Sequence, residues 1–242
     1  MKRTTLLFFI ISTLLFSQNY TNSQIGQNND LMKSIENNDI ESVRNILRDG
    51  NNLDIYNNKY GMSSLMYASK IGNMEIVKEL LDFGAKDFNF AFYTACMEGY
   101  WDIAQKFIEN GANNFDMALS YAAIGGQLDI VKELINFGAK DINATDRNGN
   151  NILIRAVMFE YEKEDDGIYR IFSTSLEIME ELLKAGADMT QRNIYGNTAY
   201  RIAAKKKRKD FIELFDRYRW FIFFNYSHNS IDCRFCIAIL RN

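Results

Sequence analysis

The side chains best suited to chemistry lie far apart in this chain. "CRFC" sets Cys233 and Cys236 at the C-x-x-C spacing of a redox pair, half of a metal site or a tight disulfide. His228 is the single histidine, so a histidine-based triad or a multi-histidine metal centre has nothing to stand on. Cys96, the third cysteine, falls among apolar residues and is expected in the core. The carboxylates Glu75, Asp102, Asp129 and Glu177 do not converge; they recur at one position of a pattern, each near the start of a helix. A negative charge there complements the helix dipole. The run "KKKRK", Lys205–Lys209, could hold phosphate or another anion, or could be a solvated face. No catalytic residue, metal or cofactor is expected from this set.

What positions these groups is a repeat. "MEIVKELLDFGAKD" at 74–87 returns as "LDIVKELINFGAKD" at 128–141, identical at ten of fourteen positions. Glycines closing such segments stand at 50, 84, 111, 138 and 186, with spacings of 34, 27, 27 and 48. Each follows apolar residues at helical spacing, such as Ile76, Val77, Leu80 and Leu81. Glycine there suits the left-handed conformation that closes a helix. Upstream of each segment a shorter helix carries a small pair: Ala68/Ser69, Ala95/Cys96, Ala122/Ala123, Ala156/Val157 and Ala203/Ala204. Small residues let neighbouring helices approach closely, and Gly72, Gly99 and Gly126 end three of these first helices. Duplication of this kind stacks one supersecondary unit on another so that neighbours bury a shared core.

In "YGMSSLMYASKIGNMEIVKELLDFGA" and "DRNGNNILIRAV" the chain resembles the ankyrin-repeat family, whose exported bacterial members are its expected company. The resemblance covers about residues 30–216 in six units: 30–57, 58–87, 88–114, 115–143, 144–190 and 191–216. It implies an all-α solenoid of about six helix-turn-helix units, with short β-hairpin fingers at some of them. It also implies noncatalytic, noncovalent protein binding by a monomer, with the partner against the concave side. By motif position the outward residues of the first helices are Tyr67, Thr94, Tyr121, Arg155 and Ile202. Those after the small pairs are Ile71, Met97, Ile124, Met158 and Phe159, and Tyr100 and Trp101 add aromatics. Tyr, Arg and Met are enriched at interfaces.

The departures matter as well. Ser63/Ser64, Asn151/Ile152 and Thr198/Ala199 stand where the family has Thr-Pro, and no histidine fills the motif's fourth place. Loss of that cap network is expected to lower the stability of each unit. Units closing at Gly111 and Gly138 are too short for a finger; finger signals survive around Gly61, Gly149 and Gly196, where positive φ is needed. The fifth unit has extra length at about Glu160–Thr174, "EYEKEDDGIYRIFST", with five acids against two bases. It reads as a solvated insertion or a recognition loop.

The chain's two ends match no repeat. Lys2 and Arg3 precede an apolar run, Leu6–Phe16, as in a secretory signal peptide over 1–18, followed by a polar, flexible lead-in over 19–29. A periplasmic or secreted location follows; an uncleaved membrane anchor is the alternative, although the run is short for a span of about 20 residues. The tail, 217–242, carries an apolar stretch from Trp220 to Phe224. Membrane contact is expected only through this tail or the N-terminus. The charge of −3 over 242 residues excludes a broadly basic, nucleic-acid-binding chain, and 47% hydrophobic content suits a folded core. The rival functions are a thiol-redox or metal-binding protein working through Cys233 and Cys236, and a membrane-anchored scaffold.

Overall fold

The computed structural model describes residues 30–49, 62–86, 88–139, 141–158 and 174–227, with the backbone alone for 220–227. Helices account for the regular structure, and among the described residues no strand forms beyond an isolated bridge at Ser63. In chain order the helices are α1 (30–36), α2 (Ile40–Arg48), α3 (Ser64–Ile71), α4 (Met74–Asp82), α5 (Phe88–Glu98) and α6 (Trp101–Glu109). Then come α7 (Phe115–Ile124), α8 (Leu128–Phe137), α9 (Ile152–Met158), α10 (Leu176–Lys184), α11 (Ala199–Lys205) and α12 (Lys209–Ser227). They follow one another as the first and second helices of successive pairs. The chain divides into two compact units, Met1–Ala95 with Tyr100–Asn113 and Cys96–Gly99 with Asn114–Asn242.

The second helices stop for the expected reason. After α4, Gly84 sits at φ 95°, its N–H donating to the Leu81 carbonyl (2.9 Å) while Ala85 donates to Leu80 (3.0 Å). The same two bonds recur at Gly111/Ala112, Gly138/Ala139 and Gly186/Ala187, which is the Schellman arrangement and explains why alanine follows each glycine. Ala85, Ala112 and Ala187 are buried against the helix they close. The acids Glu75, Asp102, Asp129 and Glu177 all lie in first turns.

Within the first unit α4 packs on α2, α3 and α6, with Ile76, Val77 and Leu80 buried on its inner face. Arg44 of α2 reaches Glu79 of α4 at 2.7 Å. In the second unit α7, α9 and α11 form one row and α8, α10 and α12 another. Its core includes Leu119, Leu153, Ile178, Leu182, Phe211 and Phe215. The small pairs are buried as predicted, except that Ala204 of α11 is exposed. Helix α12 also runs on to Ser227 instead of stopping where the repeat pattern ends, since no glycine or proline interrupts it.

Where the family has Thr-Pro, the first helices α3, α9 and α11 are still N-capped. Ser63 Oγ accepts from Met66 N–H (3.2 Å), Asn151 Oδ1 from Ile154 (3.0 Å) and Thr198 Oγ1 from Arg201 (3.2 Å). Serine, asparagine and threonine cap without the proline. Asn151 also donates through Nδ2 to the Asp188 carbonyl (2.7 Å), tying the start of α9 to the turn after α10. Gly149 and Gly196 have φ of 72° and 71° in turns joined by Ile194 N–H to Asn148 O (2.9 Å) and Asn193 Nδ2 to Asn150 Oδ1 (2.9 Å). Gly61, the insertion over 159–173, the N-terminal 29 residues and the tail beyond 227 lie outside the described residues.

Candidate partner-binding surface

Two motif positions of the second unit meet around a cleft. Helix α7 presents Tyr121 and, one turn earlier, Met117; α9 presents Arg155, which follows its N-cap Asn151 by one turn. The Arg155 guanidinium lies 5.6 Å from the Tyr121 ring centroid, and its Nη1 donates to Met117 Sδ at 3.4 Å. Burial pushes the Arg155 pKa down, against the opposing influence of Tyr121 and Asp146. No carboxylate among the described residues forms an ion pair with it. A half-buried cation without a close anion is costly, and this one lines an open cleft of about 280 Å³ together with Asp116, Ser120, Asp141, Thr145 and Asp146.

The acids of that cleft are already employed. Asp146 accepts from the backbone N–H groups of Asn148 (2.8 Å) and Asn150 (2.9 Å) and from Asn150 Nδ2 (2.9 Å). Burial works to raise its pKa, but these hydrogen bonds hold it below the usual range. Asp116 accepts from the Asp141 N–H at 3.0 Å. They shape the loop walls, and Arg155 is the cationic side chain of the lining.

The other predicted residues scatter in environment. Thr94 and Ile124 are 7% and 5% exposed, so neither can face a partner. Thr94 Oγ1 turns back to the Phe90 carbonyl (2.9 Å), and Ile124 ends α7 beside Gly125, where the Met97 backbone comes close. Tyr67, Ile71, Met97, Trp101 and Ile202 are half-buried. Tyr100 is half-buried too, its ring lying over Gly72 in the first unit. Met158 is 43% exposed, and its carbonyl accepts from Lys206 Nζ at 2.6 Å. Phe159 lies outside the described residues.

Sequence reasoning missed Met117, whose role depends on contact across helices. It also missed Ile194 and Tyr195, 66% and 70% exposed at the turn closed by Gly196. The signal was available: two large apolar residues inside a finger turn, where polar ones are usual. Burial pushes the Cys96 thiol pKa up, so it stays protonated and unreactive. Cys233, Cys236 and His228 lie outside the described residues. Among those that are described, no three acids, histidines or cysteines cluster as metal ligands, and no helix is long and apolar enough to cross a membrane.

Known proteins offer a direct comparison. The family model described as "Ankyrin repeats (3 copies)" matches residues 31–116 and 92–164, together more than half of the chain. Among solved structures, the ankyrin repeat protein EF0377 is 25% identical, covering 77% of this chain and 96% of that one at a TM-score of 0.55. A structure of the predatory endopeptidase Bd0816 from Bdellovibrio bacteriovorus in complex with the immunity protein Bd3460 also matches. It does so at 23% identity and a TM-score of 0.55, over 75% of this chain and 93% of the matched chain. No curated protein matches.

Proposed function

The chain belongs to the ankyrin-repeat family, and from that premise we propose that it is an exported, noncatalytic module that binds another protein through the cleft around Arg155. Ankyrin repeats serve protein–protein interaction, so the family supports the class of function. The observation that carries the specific reading is the Arg155 guanidinium, half-buried, lying over Tyr121 and lining the cleft without an ion-pair partner among the described residues. Such a residue gains most when a partner brings hydrogen-bond acceptors into the desolvated site. Export rests on the charged and apolar segments of residues 1–18. The chain's likeness to a component of an endopeptidase–immunity protein complex shows the fold and adds no partner of its own.

The test is capture of partners from the native source by the mature chain, alongside Arg155→Ala, Tyr121→Ala and a control, Lys132→Ala, on the exposed side of α8. A hot-spot arginine is worth roughly 2 kcal/mol or more, about thirty-fold in affinity. The wild type and the control should retain a common partner that the Arg155 variant loses, with helical circular dichroism unchanged. Equal capture by all four removes the cleft from the proposal, and intact mass of the native protein reads whether residues 1–18 are gone.

A further inference from the structure

The cleft around Arg155 holds polar groups whose hydrogen-bonding capacity is only partly used. A guanidinium has five N–H groups, and among the described residues Arg155 donates to Met117 Sδ alone, at 3.4 Å. A thioether sulfur is a weak acceptor. Ser120 lines the same cleft and is only 6% exposed, yet its hydroxyl makes no hydrogen bond to a described residue. Other first helices return such hydroxyls to the backbone one turn back, Ser69 Oγ to Leu65 O (2.8 Å) and Thr94 Oγ1 to Phe90 O (2.9 Å). A hydroxyl this enclosed gains from any group that enters the cleft and pairs with it.

The charge of the cleft narrows what that group is. Asp116, Asp141 and Asp146 line it against the single guanidinium of Arg155. Asp146 offsets part of the cost of burying Arg155, and both of its oxygens are engaged by Asn148 and Asn150. Asp116 and Asp141 each accept one backbone N–H through Oδ1, at 3.0 and 3.2 Å, which leaves their Oδ2 atoms without a donor among the described residues. Arg155 therefore lacks acceptors rather than negative charge. A carboxylate would supply acceptors but set a fourth negative group beside three, the like-charge juxtaposition that suppresses a partner. A neutral amide supplies both things the cleft lacks, a carbonyl oxygen for the guanidinium and N–H groups for Asp116 and Asp141. A primary amide carries two N–H groups, a main-chain amide only one.

We propose that the cleft takes a neutral primary amide, the side chain of an Asn or Gln residue on the protein partner, with its carbonyl on Arg155 and its N–H groups toward Asp116 and Asp141. This rests on the reading of the cleft as the partner-binding site and adds the chemistry of the group it recognises.

The experiment titrates the mature chain with propionamide, propionate and N-methylacetamide, which present the Gln side chain, the Glu side chain and the main-chain amide. NMR shifts of the Ser120 backbone N–H and the Arg155 Nε–H report occupancy. Propionamide should saturate them at a concentration roughly five-fold below that of either other probe. Ser120→Ala should weaken propionamide roughly three-fold. Asp116→Asn combined with Asp141→Asn should shrink the preference for propionamide over propionate by roughly three-fold, with helical circular dichroism unchanged in both variants. Tighter propionate assigns the cleft to an acidic group and tighter N-methylacetamide to an extended main chain; either result overturns the proposal. So does a preference that the aspartate changes leave untouched, or the absence of any shift at about 0.5 M probe. Each of these outcomes leaves Arg155-dependent capture of a partner standing, whereas equal capture by the Arg155 variant removes the cleft itself and the amide with it.

Discussion

At Asn151 one side-chain amide is used twice: Oδ1 accepts from the Ile154 N–H and Nδ2 donates to the Asp188 carbonyl. The residue is fully buried, so water cannot replace either bond. Asn150 works beside it, its Oδ1 accepting from Asn193 while its Nδ2 donates to Asp146. Removing the Asn151 amide loses an N-cap, about 1 kcal/mol, and leaves a carbonyl poorly satisfied at roughly 1–3 kcal/mol. Asn151→Ala should therefore lower stability by about 2–4 kcal/mol, and Asn151→Ser, which keeps the cap acceptor, by about half as much. Urea unfolding followed by circular dichroism checks both. If alanine costs under about 0.5 kcal/mol, the amide is not what holds the start of α9 to the turn after α10.

Among the helices, closeness of approach sets which glycines matter. A Cβ at Gly125 would come 2.0 Å from the Met97 carbonyl oxygen and 2.9 Å from its Cα, and Gln127 seals the gap by donating to both Met97 O and Gly125 O at 3.1 Å. Gly125 has an ordinary right-handed φ of −69°, so the demand there is steric. Gly84 and Gly111 are the reverse, with positive φ and nothing within 4 Å. Gly125→Ala should cost about 3 kcal/mol or more by forcing backbone apart, and Gly111→Ala only about 1 kcal/mol; thermal midpoints of the two variants make the comparison, and equal shifts would rule out the close approach as the cause. This contrast also explains what could be read from the sequence. The caps at Gly84, Gly111, Gly138 and Gly186 were legible because a helix end needs a local conformation that glycine supplies. Arg155 and Tyr121 were legible as outward positions because the motif fixes a face. The burial of Thr94 and Ile124, the Met117 contact and the second bond of Asn151 were not, since each depends on a neighbour distant in sequence. The overrun of α12 was hidden because a repeat pattern stops where matching stops, while a helix stops only where something caps it.

Across the second unit, stability is shared between neighbours rather than held in one centre. Helix α12 packs chiefly on α10 and α11, α9 on α7, α10 and α11, and α8 on α7 and α10, so a defect at one end reaches the other only through the intervening pair. Arrays of this kind behave approximately as a sum of unit stabilities and nearest-neighbour terms. Phe211, fully buried on α12, sits at the outermost described pair. Phe211→Leu removes packing worth roughly 1–2 kcal/mol without emptying the site. Native-state amide exchange should then lose most protection in α11 and α12, less in α9 and α10, and least in α7 and α8, because each opening is local before it is global. A loss of equal size in every helix from α7 to α12 would show instead that the unit opens as one block, and would place the strength of the array in its interfaces rather than in its individual pairs.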